Sequence, residues 1–256
     1  MLKQLFSLSG RCALVTGSAT GLGFGYAEGL GLCGAQLIMN DVNKERLKEA
    51  ADKLRAKGIT VHEAAFDVSS AKAVESAFAD IDEKGLVADI LVNNAGIQFR
   101  KPMLDLDVSD WQRVLDINLT GAFLVAKAAA ARMIKAGKKG KIINIGSLTS
   151  EMARATVAPY TATKGAIKML TRSMTAEWAQ HGISANAVAP GYIVTELNTA
   201  LVENPEFDGW VRKRTPAARW GMPEDLTGTV VFLASPASDF INGQLIFVDG
   251  GIVSVL

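Results

Sequence analysis

The chain has 256 residues, 49% hydrophobic and 21% charged, which supplies apolar material for one large core or at most two small ones. Its formal net charge of +1, with basic and acidic residues interspersed, builds no field that would gather DNA or an anionic membrane, so neither is expected as a partner. Two cysteines, Cys12 and Cys33, carry no disulfide framework and fit a reducing compartment as inert core thiols; with no secretory stretch in residues 1–11, a cytoplasmic location is expected.

Short apolar runs alternate with helical patterns from one end of the chain to the other. A strand is expected at 12–15, then a helix at 23–32, a strand at 37–39, a helix at 44–57, a strand at 61–65, a helix at 71–84 and a strand at 90–92. A long helix at 110–135 follows, whose most apolar part, 119–131, is interrupted by Lys127. It falls short of the roughly 18–20 residues of a membrane span and reads as buried. Strand 142–145, helix 160–180, strand 185–189, helix 224–233 and strand 245–248 complete the succession. Strand, helix, strand throughout predicts an α/β fold, a doubly wound, parallel, seven-stranded Rossmann-like sheet in a single domain over 1–256. The irregular stretch 195–223, with Pro205, Pro216, Pro223, Trp210 and Trp220, reads as a lid over the strand ends or as a surface excursion.

The first strand runs into Thr16-Gly17-Ser18-Ala19-Thr20-Gly21-Leu22-Gly23 and then a helix. Glycines here allow a tight turn and a close approach to a pyrophosphate, while free amides and the dipole at the helix start attract the anion. Gly17, Ser18, Thr20, Gly21, Leu22 and Gly23 are therefore candidate cofactor contacts. Asp41, just past the second strand, is positioned to accept from both hydroxyls of an adenosine ribose and to repel a 2′-phosphate, or else caps the helix at Lys44. Neither Thr20 nor Val42 offers a cation for that phosphate, so NAD(H) is favoured, with NADP(H) as the other option. His62 and His181 are the only histidines; with no Cys/His cluster and no Gly-x-Ser-x-Gly elbow, neither a catalytic metal nor a serine hydrolase is expected.

From about Leu8 to Gly251 the sequence resembles the short-chain dehydrogenase/reductase family. Asp67-Val68 is similar to the pair that meets the adenine ring, Asn93-Asn94-Ala95-Gly96 to the segment lining the cofactor, and Pro190-Gly191, through Ile193 to Thr195, to the loop beside the nicotinamide. Asn118, Ser147, Tyr160 and Lys164 match the family's catalytic tetrad. Tyr160 and Lys164 are four residues apart on one helix face, so the ammonium is expected to lower the phenol below its ordinary pKa of ~10 and let it exchange a proton with a secondary alcohol or ketone. The resemblance implies that Ser147 holds the substrate oxygen, that Asn118 holds a water connecting Lys164 to solvent, and that the protein is a homotetramer.

Four stretches narrow the resemblance to the family's gluconate/5-keto-gluconate enzymes: Leu5-Phe6-Ser7-Leu8, Asn94-Ala95-Gly96-Ile97-Gln98, 213–221 and Asp239-Phe240-Ile241-Asn242-Gly243. A sugar acid needs a cation for its carboxylate, and Arg100 and Arg154 are the candidates, although each can equally be a surface charge. A 3-oxoacyl-carrier-protein reductase, another polyol dehydrogenase, or a cofactor-sensing regulator without turnover are the competing expectations.

Overall fold

Runs that are apolar on both faces make strands only when helices cover the sheet on both sides. In the computed structural model, which describes residues 2–255, seven strands pair, most of them apolar runs of this kind. They are β1 (Cys12–Val15), β2 (Gln36–Met39), β3 (Val61–Glu63), β4 (Ile90–Asn93), β5 (Gly140–Ile145), β6 (Ile183–Pro190) and β7 (Leu245–Val248). The order is β3-β2-β1-β4-β5-β6-β7, with every neighbouring pair parallel. Because the winding reverses between β1 and β4, a crevice opens there at the carboxyl ends of the strands.

In chain order the main helices are α1 (Gly21–Leu32), α2 (Lys44–Arg55), α3 (Ala71–Glu83), α4 (Val108–Lys135), α5 (Ala158–Trp178), α6 (Pro205–Arg214) and α7 (Pro223–Ala234). Alternation along each strand divides the core in two. Ala13, Val15, Leu37 and Met39 meet α1, α2 and α7 through Leu30, Leu47, Leu54 and Val230. Cys12, Leu14, Ile38 and Leu91 meet α3, α4 and α5 through Phe78, Val125, Ala129 and Met174. Helix starts follow local chemistry: the side chains of Asn43 and Ser70 accept from the amides of Arg46 and Ala73. Proline occupies the first turn of α5, α6 and α7.

Three features depart from the expected elements. At 28 residues α4 has the length and apolarity of a membrane span, yet half its most apolar window is buried, and its Val125–Met133 face packs on the sheet. It also contains a wide π turn, Asp116–Thr120, where a regular helix was expected. Finally, the irregular stretch 195–223 contains α6, and its two ends are tied together. The amide of Val194 donates to the carbonyl of Gly221, and that of Gly221 to the carbonyl of Tyr192, both at 2.9 Å.

Candidate active site

The glycine turn follows from close packing. Gly17 has φ +61°, and a Cβ there would lie 2.9 Å from Ala95 Cα; a Cβ on Gly23 would lie 2.2 Å from the carbonyl oxygen of Gly17. Only hydrogen fits at either position, so α1 begins directly under the turn with Thr20 at its N-cap and no side-chain cap on its amides. Asn94 holds the turn from the β4 side, its amide Nδ2 donating to the carbonyls of Thr16 at 2.9 Å and Gly17 at 3.0 Å.

A cleft of about 550 Å³ runs from this turn across the β1/β4 reversal. Gly17, Thr20, Gly21, Leu22 and Gly23 line one end, with Asp41, Asp67 and Val68 beyond them. Asn94, Ala95 and Gly96 form the floor; Ser147, Tyr160 and Lys164, with Pro190, Gly191, Ile193 and Thr195, line the far end. Ser18 differs from the rest of its group. It is fully buried, and its hydroxyl accepts from the amide of Asn40 at 3.0 Å, so its side chain supports the turn from behind. Asn40 was not anticipated: its Nδ2 donates to the carbonyls of Ala64 and Phe66, both at 3.0 Å, locking the end of β2 to the chain leaving β3.

Asp41 is not the cap of α2, since Asn43 takes that place. The Asp41 carboxylate accepts from the amide of Asn43 at 2.9 Å and faces the cleft. Beside it, and also lining the cleft, is Arg46 in the first turn of α2, with Nη2 3.6 Å from Asp41 Oδ1.

At the other end, β5 delivers Ser147 and α5 delivers Tyr160 and Lys164. Ser150 joins the two elements, its hydroxyl accepting from the amide of Ser147 at 3.2 Å and donating to the carbonyl of Lys164 at 2.9 Å. The buried ammonium of Lys164 donates to the carbonyl of Ile145 at 2.6 Å and lies 5.4 Å from the centroid of the Tyr160 ring. The expected acidification of Tyr160 by Lys164 is not found in the chain itself. Burial raises the phenol above its ordinary value, opposed by hydrogen bonding from Ser147 and then by the charge of Arg100. The reason is geometric: Lys164 directs its proton to a carbonyl, and burial pushes its own pKa down to about 8.

Asn118 occupies the π turn and does not line the cleft. Its carboxamide pairs with the backbone of Ile97 in both directions, Oδ1 accepting and Nδ2 donating at 2.8 Å each, which fixes the loop following the Asn94 segment.

A second cavity of about 470 Å³ lies between the loop after Ser147 and α6, bounded by Leu148, Met152, Arg154, Tyr192, Phe207 and Trp210. Arg100 lines neither cavity, but its charge reaches Tyr160 and Arg154. A backbone hydrogen bond from the amide of Lys101 to the carbonyl of Thr156, 2.9 Å, brings the two arginine-bearing loops together.

The family described as enoyl-(acyl carrier protein) reductase matches residues 17–253. The chain is 49% identical over 252 residues to the 5-keto-D-gluconate 5-reductase of Escherichia coli K12, covering 98% of this chain and 99% of that one. The chain belongs to the short-chain dehydrogenase/reductase family. It is also 48% identical over 249 residues to the gluconate 5-dehydrogenase of Gluconobacter oxydans, with 97% of each chain covered. Among solved structures, a gluconate 5-dehydrogenase from Burkholderia cenocepacia J2315, in complex with NADP and tartrate, superimposes with a TM-score of 0.97 at 49% identity, all of both chains covered.

As a member of this family the chain is an oxidoreductase using a nicotinamide cofactor, and the close-packed glycine turn with its uncapped helix start fits the pyrophosphate of such a group. The expected preference for NAD(H) is not supported. The Burkholderia relative was solved with NADP, and in this chain a cation, Arg46, lies beside Asp41 on the wall of the cleft. Arg46 escaped the sequence reading because only the first turn of α2 carries it back to the cleft.

Proposed function

We propose that this protein interconverts a secondary alcohol and a ketone on a sugar acid, gluconate and 5-keto-gluconate, with NADP(H). The observation that carries the substrate reading is the pair Arg100 and Arg154. Their charges act on each other, that of Arg100 also reaches Tyr160, and among the described residues neither forms an ion pair with a carboxylate. Burial, then the neighbouring Arg154, destabilises the charge on Arg100, and a substrate carboxylate between the two would relieve both.

In this reading Ser147 orients the substrate oxygen and Tyr160 takes its proton during oxidation and returns it during reduction. The bound cofactor supplies the hydride acceptor or donor. Lys164 holds the nicotinamide ribose, and its lowered pKa keeps it ready to pass a proton. Asn118 fixes the Ile97 backbone at the mouth of that route. Asp41 and Arg46 hold the adenosine end, Arg46 against the 2′-phosphate, with Asp67 and Val68 at the adenine. The stretch 195–223 acts as a lid, hinged at the hydrogen bonds joining Tyr192 and Val194 to Gly221. A cytoplasmic homotetramer is the working assembly; the exposed Phe123 and Met169 on α4 and α5 and the fully exposed Phe240 before β7 offer apolar surface for it.

The apolar walls of the second cavity favour one competing reading, an acyl chain on a carrier protein. Gluconate, 5-keto-gluconate, neutral polyols and a 3-oxoacyl thioester, each assayed with NADP(H) and NAD(H), separate the readings. Turnover of the thioester with neither sugar acid active would overturn the proposal, and tight cofactor binding without turnover of anything would make the protein a sensor.

A further inference from the structure

Phe207 sits in the first turn of α6, far in sequence from the catalytic groups, yet its ring meets one of these two arginines. The guanidinium of Arg154 lies 4.4 Å from the centroid of Phe207. The same ring stacks on Trp210 at 5.4 Å and 26°, and meets Tyr192 edge-on at 5.5 Å and 78°. Tyr192 in turn touches Trp210 and the buried Trp220, both at 5.7 Å, and Trp220 donates its indole N–H to Asp208 Oδ1 at 2.8 Å. The aromatic group therefore fixes the orientation of Phe207 from three sides. Arg154, by contrast, sits in a loop that forms no helix or strand, reached through Thr156 at φ +72°. An arginine in such a loop has many rotamers, and ordering one costs entropy when a ligand binds.

We infer that Phe207 is a positioning residue for Arg154. Its ring holds the guanidinium at the edge of the second cavity, so that an anionic substrate group meets a prearranged cation only while α6 is seated on the aromatic group. The inference rests on the reading of Arg154 as a partner of the substrate carboxylate. It makes recognition of the anion and closure of the lid one event: unseating α6 removes both the ring and the wall of the cavity. A guanidinium over an aromatic face still has its edge N–H groups free, so the stacked arginine remains able to bind a carboxylate.

The test is steady-state kinetics of the full-length enzyme with gluconate and with 5-keto-gluconate. Phe207→Leu should raise KM for the sugar acid about five- to tenfold, with kcat within about twofold of the parent and KM for the cofactor unchanged. Phe207→Tyr, which keeps the ring face, should restore KM to within about twofold. If Phe207→Leu does not fold, Phe207→Met removes the ring with an unbranched, adaptable chain that fills irregular gaps. In an Arg154→Ala background the loss of the ring should add nothing further. Equal effects of Leu and Tyr, a loss falling on kcat, or losses that multiply in the double variant would each overturn the positioning role. Arg154→Ala with an unchanged KM would overturn the carboxylate reading itself, and a parent enzyme inactive on both sugar acids would remove both.

Discussion

If NADP(H) is the cofactor, replacing Arg46 with alanine should make the cleft discriminate against the 2′-phosphate. Arg46 Nη2 lies 3.6 Å from Asp41 Oδ1, so a phosphate placed at the ribose would be within reach of both the cation and the carboxylate. Two unit charges about 4 Å apart interact by about 1 kcal/mol in water and about 4 kcal/mol in a partly shielded protein surface. The Arg46 side chain is 55% exposed, which places it nearer the aqueous limit. A loss of about 1–2 kcal/mol follows, or about five- to thirtyfold in kcat/KM for NADP⁺, with NAD⁺ changed by less than about twofold. Asp41→Asn should move the ratio the other way, by removing repulsion from the phosphate and weakening the grip on a free 2′-hydroxyl. Measured at saturating sugar acid, the effect should also shrink with added salt, because an exposed pair is screened within about 8 Å at physiological ionic strength. Equal loss with both cofactors, or no loss with NADP⁺, would show that the phosphate is held elsewhere.

Tyr160→Phe should abolish turnover while leaving the cofactor dissociation constant within about threefold, as read by fluorescence titration; retained turnover would remove the phenol from the chemistry. Gly23→Ala should cost cofactor affinity at least about tenfold or prevent folding, since the added methyl meets the Gly17 carbonyl 2.2 Å away; normal binding in a folded Gly23→Ala protein would contradict the close-packed turn. The lowered pKa of Lys164 fixes a sign. Between its folded value of about 8 and its ordinary 10.5 the unfolded chain holds the extra proton, so the penalty of burying the charge is full below about pH 8 and fades as pH rises. Denaturant titrations of the parent against Lys164→Met should therefore converge by about 1–3 kcal/mol across that window, and parallel stabilities would refute the buried ammonium.

The strands and their order of appearance were legible because each apolar run is short and bounded, and the glycine turn because its strand and helix flank it. Tyr160 and Lys164 were readable as a pair from their spacing on one helix. Their electrostatics were not, because the direction of the Lys164 proton toward Ile145 depends on how β5 ends, which spacing does not record. The same holds for Asp41 and Arg46: the carboxylate after β2 was readable as a cleft residue, while the arginine reached the same wall through the curl of a helix turn. Helix α6 was missed because Pro205, Gly209 and the interspersed charges of 205–214 read as breaks. Its proline is at the start, where a helix tolerates it. The link between Arg154 and Phe207 had no local signature at all. Asn118 was identified by resemblance, but nothing in Ile117-Asn118-Leu119 distinguishes a wide turn from an ordinary one, since the difference lies in backbone hydrogen bonding.

That wide turn makes residue count, as well as residue identity, a requirement at this point of the chain. Downstream, Gly121 is pressed against Val68, where a Cβ would come within 2.8 Å of Cγ2, so the rest of α4 cannot rotate to compensate. Removing Leu119 or Thr120 would restore a regular helix and turn everything before it by about 100° around the axis. The Asn118 carboxamide would swing away from Ile97 although every side chain needed for the contact was still present.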